Sequence, residues 1–84
     1  MTREALLEIV EKAYEKRGAR LEKSTCLVTG NKNEFGVSIH RTNPFIGAGF
    51  YLIFDEIEEE IKKTGGTVKQ LGLYADYYIM RVNY

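Results

Sequence analysis

Pro44-Phe-Ile-Gly-Ala-Gly-Phe-Tyr-Leu-Ile-Phe54 runs directly into Asp55-Glu-Ile-Glu-Glu-Glu-Ile61, and the reading of this stretch decides the fold. It holds three of the four phenylalanines and the longest apolar run. From Phe50 the large apolar residues fall at Phe50, Ile53, Phe54, Ile57 and Ile61. Steps of three and four put them on one stripe of a 3.6-residue helix. Asp55, Glu56, Glu58, Glu59, Glu60, Lys62 and Lys63 fill the remaining positions, acids early and lysines late, as the helix dipole favours. Thr64-Gly65-Gly66 is a stop signal, because glycine takes the left-handed C-terminal conformation without a Cβ penalty. Asn43-Pro44 reads as an N-cap followed by a first-turn proline. Gly47 and Gly49, however, each cost a helix interior about 1 kcal/mol relative to alanine. The expectation is a loop or irregular turn through Gly47 and a helix over about 49–64, against which the rest packs.

Working outward, the N-terminal segment repeats the helical pattern over about 2–17. Thr2 is placed to cap, Glu4 and Glu8 lie early, and Lys16 and Arg17 lie late. Leu6, Ile9, Val10, Ala13 and Tyr14 form the apolar face, with Leu7 at its edge and Gly18 ending the helix.

Two hairpins complete the chain. The first, about 24–42, turns at Gly30-Asn-Lys-Asn33, residues that tolerate positive φ. Val28 opposite Phe35, Cys26 opposite Val37 and Ser24 opposite Ile39 would make one side apolar and leave Leu27, Ser38 and His40 on the other. The second, about 67–83, turns at Ala75-Asp76. Unbroken alternation sends Leu71, Leu73, Tyr78, Met80 and Val82 toward the helices. It sends Val68, Gln70, Tyr74, Tyr77, Ile79 and Arg81 away.

The order α-β-β-α-β-β predicts a two-layer α+β domain spanning residues 1–84, with two helices packed on one face of a four-stranded antiparallel sheet. Lys16-Arg-Gly18-Ala-Arg-Leu21 echoes Lys63-Thr-Gly65-Gly-Thr-Val68, which predicts two αββ units related by a pseudo-twofold axis.

Composition narrows function. Twelve basic and twelve acidic residues give a formal net charge of zero, which disfavours tight non-specific nucleic-acid binding. Cys26 is the only cysteine, so an internal disulfide and a cysteine-based zinc site are excluded, and a reducing, cytoplasmic compartment is expected. The first residues carry acids within their apolar pattern, unlike a signal peptide. The run from Pro44 to Phe54 falls short of the roughly 20 residues that span a bilayer, so no membrane partner is expected.

Catalytic chemistry finds little support. Cys26 and His40 are the only candidates for a nucleophile and base, and the pairing places them on opposite faces. No cofactor motif is complete: Gly47-Ala-Gly49 lacks the third glycine of a dinucleotide fingerprint and the lysine of a P-loop. The acids of 55–60 spread around a helix and do not converge as a hard cation requires. A catalytic, metal or cofactor site is therefore not expected. Two surfaces are. Leu27, Val68, Tyr74, Tyr77, Ile79 and Arg81 would form an apolar, tyrosine-bearing patch on the bare sheet face, with the composition of a protein interface. Asp55, Glu56, Glu59 and Glu60 would form an acidic docking surface that could mimic phosphates.

The expectation is a small non-enzymatic protein-interaction module, with a protein partner or a second copy of itself. One version is an inhibitor or modulator of a larger protein machine, of the kind phages and mobile elements encode. The alternatives are an accessory nucleic-acid-binding domain using the tyrosine and arginine face, and a small regulatory domain that dimerises through its sheet.

Overall fold

The computed structural model describes residues 1–43 and 50–84, without the side chains of residues 50 and 51. The expectations for 44–49 (the first-turn proline, the turn through Gly47 and the Gly47-Ala-Gly49 loop) lie outside the described residues, as does the Phe50 side chain.

The elements follow the expected order. Helix α1 spans Arg3–Lys16, strands β1 and β2 span Cys26–Asn31 and Glu34–His40, helix α2 spans Phe50–Lys63, and strands β3 and β4 span Thr67–Tyr74 and Tyr77–Asn83. The sheet is antiparallel throughout, with strand order β1-β2-β4-β3, and the helices pack against one another and against the sheet. Thr2 caps α1 by accepting the Ala5 N–H on its hydroxyl at 3.0 Å. Beyond α2, Gly65 takes a φ of 91° and the Gly66 N–H returns to the Ile61 carbonyl at 3.1 Å.

The core joins the apolar stripe of each helix to the inner faces of the two central strands. Leu6, Val10, Ala13 and Tyr14 come from α1; Ile53, Phe54, Ile57 and Ile61 come from α2. Phe35, Val37 and Ile39 of β2 and Tyr78, Met80 and Val82 of β4 meet them. Phe54 stacks on Tyr78 with ring centroids 3.7 Å apart. Burying each large apolar side chain stabilises the fold by about 1.5–3 kcal/mol.

The first hairpin is tighter than expected. Lys32-Asn33 makes the turn, with Lys32 at φ 56°, and Gly30 belongs to the strand at φ 93°. Val28 therefore pairs with Val37 and Cys26 with Ile39, two residues from the expected register. Because side chains alternate with period two, a shift of two keeps every residue on its expected face. Ser24 lies in a single 3₁₀ turn, Lys23–Thr25, and not in the strand.

The second hairpin departs in a different way. Tyr74 pairs with Tyr77 and Leu73 with Tyr78, as expected. The register then shifts between Gln70 and Gly72, so Leu71 is an extra residue, and Gly72 takes a φ of 107° that L residues rarely adopt. Beyond the bulge parity is reversed: Gln70 pairs with Met80 and Val68 with Val82, so both turn toward the helices. Val68 packs against the core, which corrects its assignment to the outer face. Gln70 accepts the Tyr78 hydroxyl at 2.6 Å and donates to Glu58 at 2.9 Å and to Asp55 at 3.2 Å. Leu71 is exposed rather than buried, and Leu73, although on the helix face, sits exposed on the outermost strand.

The two halves match in several elements, although β1 has 6 residues and β3 has 8 with a register shift. Both helices have 14 residues, and β2 and β4 have 7 each. The turn residues Lys32 and Ala75 share a left-handed φ of 56° and 53°. Strand order β1-β2-β4-β3 places a local twofold axis between β2 and β4, through the pair Val37 and Met80. The first half has a longer link from helix to hairpin, and the 3₁₀ turn lies in it.

Asn43 secures that link. Its side chain is buried; Oδ1 accepts the Glu22 N–H at 2.8 Å, and Nδ2 donates to the Glu22 carbonyl at 3.1 Å and to the Thr25 hydroxyl at 2.6 Å. The amide thus pairs with residue 22 as a neighbouring strand would. Asn43→Ala removes three hydrogen bonds made by a buried side chain, two of them to the Glu22 backbone, and is expected to cost about 1–3 kcal/mol. Asn43→Asp is expected to cost at least as much, because a carboxylate offers no donor to the Glu22 carbonyl. Urea unfolding midpoints measure both.

Candidate interaction surface

The helices cover the inner face of the two central strands, so the outer face is where most strand side chains are presented. Cross-strand pairing sets three outer rows: His40–Tyr77–Tyr74, then Leu27–Ser38–Ile79–Gly72, then Thr29–Gly36–Arg81–Lys69. Of the residues expected here, Leu27, Tyr74, Tyr77, Ile79 and Arg81 are brought together, and Val68 is not. Leu71 and Lys69 join the face through the bulge. Tyr74 is 59% exposed, Leu27 58%, Tyr77 40% and Leu71 36%, so the patch is apolar and open among the described residues.

Small residues shape this face into relief. Ser38 lies between Leu27 and Ile79, and a Cβ at Gly72 would meet nothing within 4 Å. A depression of about 370 Å³ is lined by Ser24, Leu27, Ser38, Tyr74, Tyr77 and Ile79. A second, of about 440 Å³, is bordered by Thr29, Glu34, Gly36, Leu71, Ile79 and Arg81. Ile79 is common to both, so one end of the surface is aromatic and the other carries charge. Arg81 and Lys69 are directly paired like charges, an arrangement that disfavours the sheet and favours an anion.

His40 is held at the aromatic end. Its ring meets Tyr77 edge-on at a centroid distance of 4.9 Å. The Thr42 N–H donates to Nδ1 at 3.2 Å, and the Thr42 hydroxyl lies 2.6 Å from the same nitrogen. A backbone N–H can only donate, so this contact makes Nδ1 the acceptor.

The acidic residues of α2 are largely engaged within the molecule. Glu60 is buried, accepts from Lys16 across to α1, and lies 3.4 Å from Lys63. Glu56 pairs with Arg17 at 3.3 Å, and Asp55 accepts from Gln70. Glu59 is exposed and makes no ion pair or hydrogen bond among the described residues. Of the four acids expected to dock a partner, Glu60 and Glu56 instead tie α2 to α1. Sequence spacing had placed both on the helix surface; the signal that α1 would neutralise them was the pair Lys16-Arg17 at its end.

Among the described residues, Cys26 and His40 lie on opposite faces of the sheet. The thiol lies on the inner face opposite Ile39, one residue along β2 from the outward His40. Burial pushes its pKa up to about 11, so it is not a thiolate at neutral pH. Tyr14 is fully buried with no partner for its hydroxyl among the described residues; burial raises its pKa, and the neighbouring Cys26 adds to the effect. Among the described residues, no three His, Cys, Asp or Glu side chains converge to hold a metal ion, and no helix is long and apolar enough to cross a membrane. Compared with known protein families and with characterised proteins, the chain matches none of them.

Two measurements follow from these environments. The hydrogen bond from Lys16 holds the Glu60 carboxyl below its ordinary value of 4.5, and hydrogen bonds from Lys62 and Gln70 lower Glu58. A carboxyl lowered in the folded state stabilises the fold fully above its ordinary value. That stability is lost as pH falls through the folded value. Urea midpoints are therefore expected to fall below about pH 4.5, and Glu60→Gln is expected to flatten this acid limb. The native Cys26 thiol is expected to react with an aromatic disulfide reagent at pH 7 about a hundredfold more slowly than in urea.

Proposed function

We propose that this chain is a small non-enzymatic protein-interaction module that acts by occupying a surface of another protein. The observation that carries this reading is the contiguous outer face: Leu27, Leu71, Tyr74, Tyr77 and Ile79 around two depressions, with Arg81 and Lys69 at one end. Exposed apolar patches with tyrosine and arginine match the composition of protein interfaces. One form of the role is an inhibitor or modulator of a larger protein machine, of the kind phages and mobile elements encode. In that form Asp55 and Glu59 are the acids left to meet a basic partner, because Glu56 and Glu60 are tied to α1.

A second reading, an accessory nucleic-acid-binding domain, draws support from the adjacent Lys69 and Arg81 on a face that also bears Tyr74 and Tyr77. Tyrosines stack on bases and unpaired cations contact phosphates.

Leu27→Asp and Tyr74→Asp separate these readings from a merely structural role. Both residues are exposed, so urea midpoints are expected to stay within about 0.5 kcal/mol of the parent. Each is expected to weaken a specific protein partner, captured on the parent chain, by about thirtyfold or more. Undiminished capture refutes the outer-face module. Single-stranded RNA and DNA gel shifts at about 50 mM salt test the second reading, and absence of binding there removes it.

A further inference from the structure

The sheet ends in two edge strands, β1 and β3, and they differ in how they meet solvent. β3 carries Lys69, a register shift between Gln70 and Gly72, and a positive φ at Gly72. Charge and bulges are the devices by which natural sheets stop another strand from adding at an edge. β1, Cys-Leu-Val-Thr-Gly-Asn, also has a glycine of positive φ, Gly30 near its end, but no charged residue, no proline and no register shift along its six residues. Its outer row of backbone N–H and C=O groups has no partner strand among the described residues.

Beside this edge lies an open groove of about 310 Å³ between α1 and β1, lined by Arg3, Glu4, Leu7, Cys26, Leu27 and Val28. Leu7, Cys26 and Val28 are half-buried and pack against the core on one side. On the other side they face the groove.

We propose that β1 pairs antiparallel with β1 of a second copy about a twofold axis, merging two four-stranded sheets into one of eight strands. The placement of α1 supports this occupant. Arg3, Glu4 and Leu7 line the groove beside Cys26, Leu27 and Val28, so a twofold axis across β1 brings the N-terminal turns of the two α1 helices to the junction, over the half-buried Leu7. A bare peptide strand would extend the sheet but leave the Leu7 flank of α1 uncovered.

Charge is complementary in the same arrangement. Arg3 and Glu4 adjoin on the groove rim and neither is in an ion pair among the described residues. About a twofold axis, Arg3 of each copy meets Glu4 of the other. The pairing also repeats the way this molecule joins its own halves, by antiparallel strands about a local twofold at Val37 and Met80.

Sedimentation equilibrium from about 1 to 100 µM, with hydrogen exchange at both ends of that range, tests the proposal. The expected result is a dimer whose Cys26–Asn31 amides exchange more slowly as its fraction rises. Arg3→Glu and Glu4→Arg are each expected to weaken association about tenfold, and an equimolar mixture is expected to restore it. Tyr74→Asp, at the opposite edge, is expected to leave association unchanged, which keeps this test separate from that of the outer face. A monomer throughout the range overturns the proposal. So does a dimer protected on another element, or one insensitive to both charge reversals.

Discussion

Val37 and Met80 face each other at the centre of the β2–β4 pair, fully buried beneath both helices, and the structure depends on that pairing. It is the contact that makes one sheet of two hairpins. Each αββ half alone has a helix over two strands, too little to bury both its apolar stripe and the sheet beneath it. Joined through β2 and β4, the halves place Phe35, Val37, Ile39, Tyr78, Met80 and Val82 side by side under α1 and α2. Among the described residues nothing covers the outer face of the same strands, so the exposed patch is a consequence of the two-layer design.

Legibility in the sequence followed the size of each register error. The first hairpin slipped by two residues, because Lys32 tolerates the left-handed turn and Gly30 extends the strand. An even slip preserves faces, so Cys26, Val28, Phe35, Val37 and Ile39 were all placed correctly. The second hairpin slipped by one at Leu71, and an odd slip inverts everything beyond it. Val68 and Gln70 moved inward, Lys69 moved outward, and Leu71 left the core. Gly72 was the available signal, since an isolated glycine in a strand often marks a bulge.

Electrostatic roles were less legible than apolar ones. The acids of α2 read as a free, solvated face because spacing shows where a side chain points but not what stands opposite. Once α1 packs alongside, Lys16 reaches Glu60 and Arg17 reaches Glu56, while Gln70 reaches across to Asp55 and Glu58. Asn43 shows the same gap. Its amide pairs with the backbone of Glu22, which is distant in sequence, and no local pattern announces that partner.

Local sequence determined the elements of this protein: two helices from their apolar period, two hairpins from alternation and turn residues, and their order along the chain. These depend on backbone geometry and near neighbours, which a sequence records directly. Tertiary structure decided the strand order and the contrast between the blunted β3 edge and the open β1 edge, and it also decided the inversion of β3 beyond its bulge and the engagement of Glu56 and Glu60, at which Gly72 and Lys16-Arg17 only hinted. Each of these rests on contacts between segments far apart in the chain, where the favourable partner is chosen by packing of the whole.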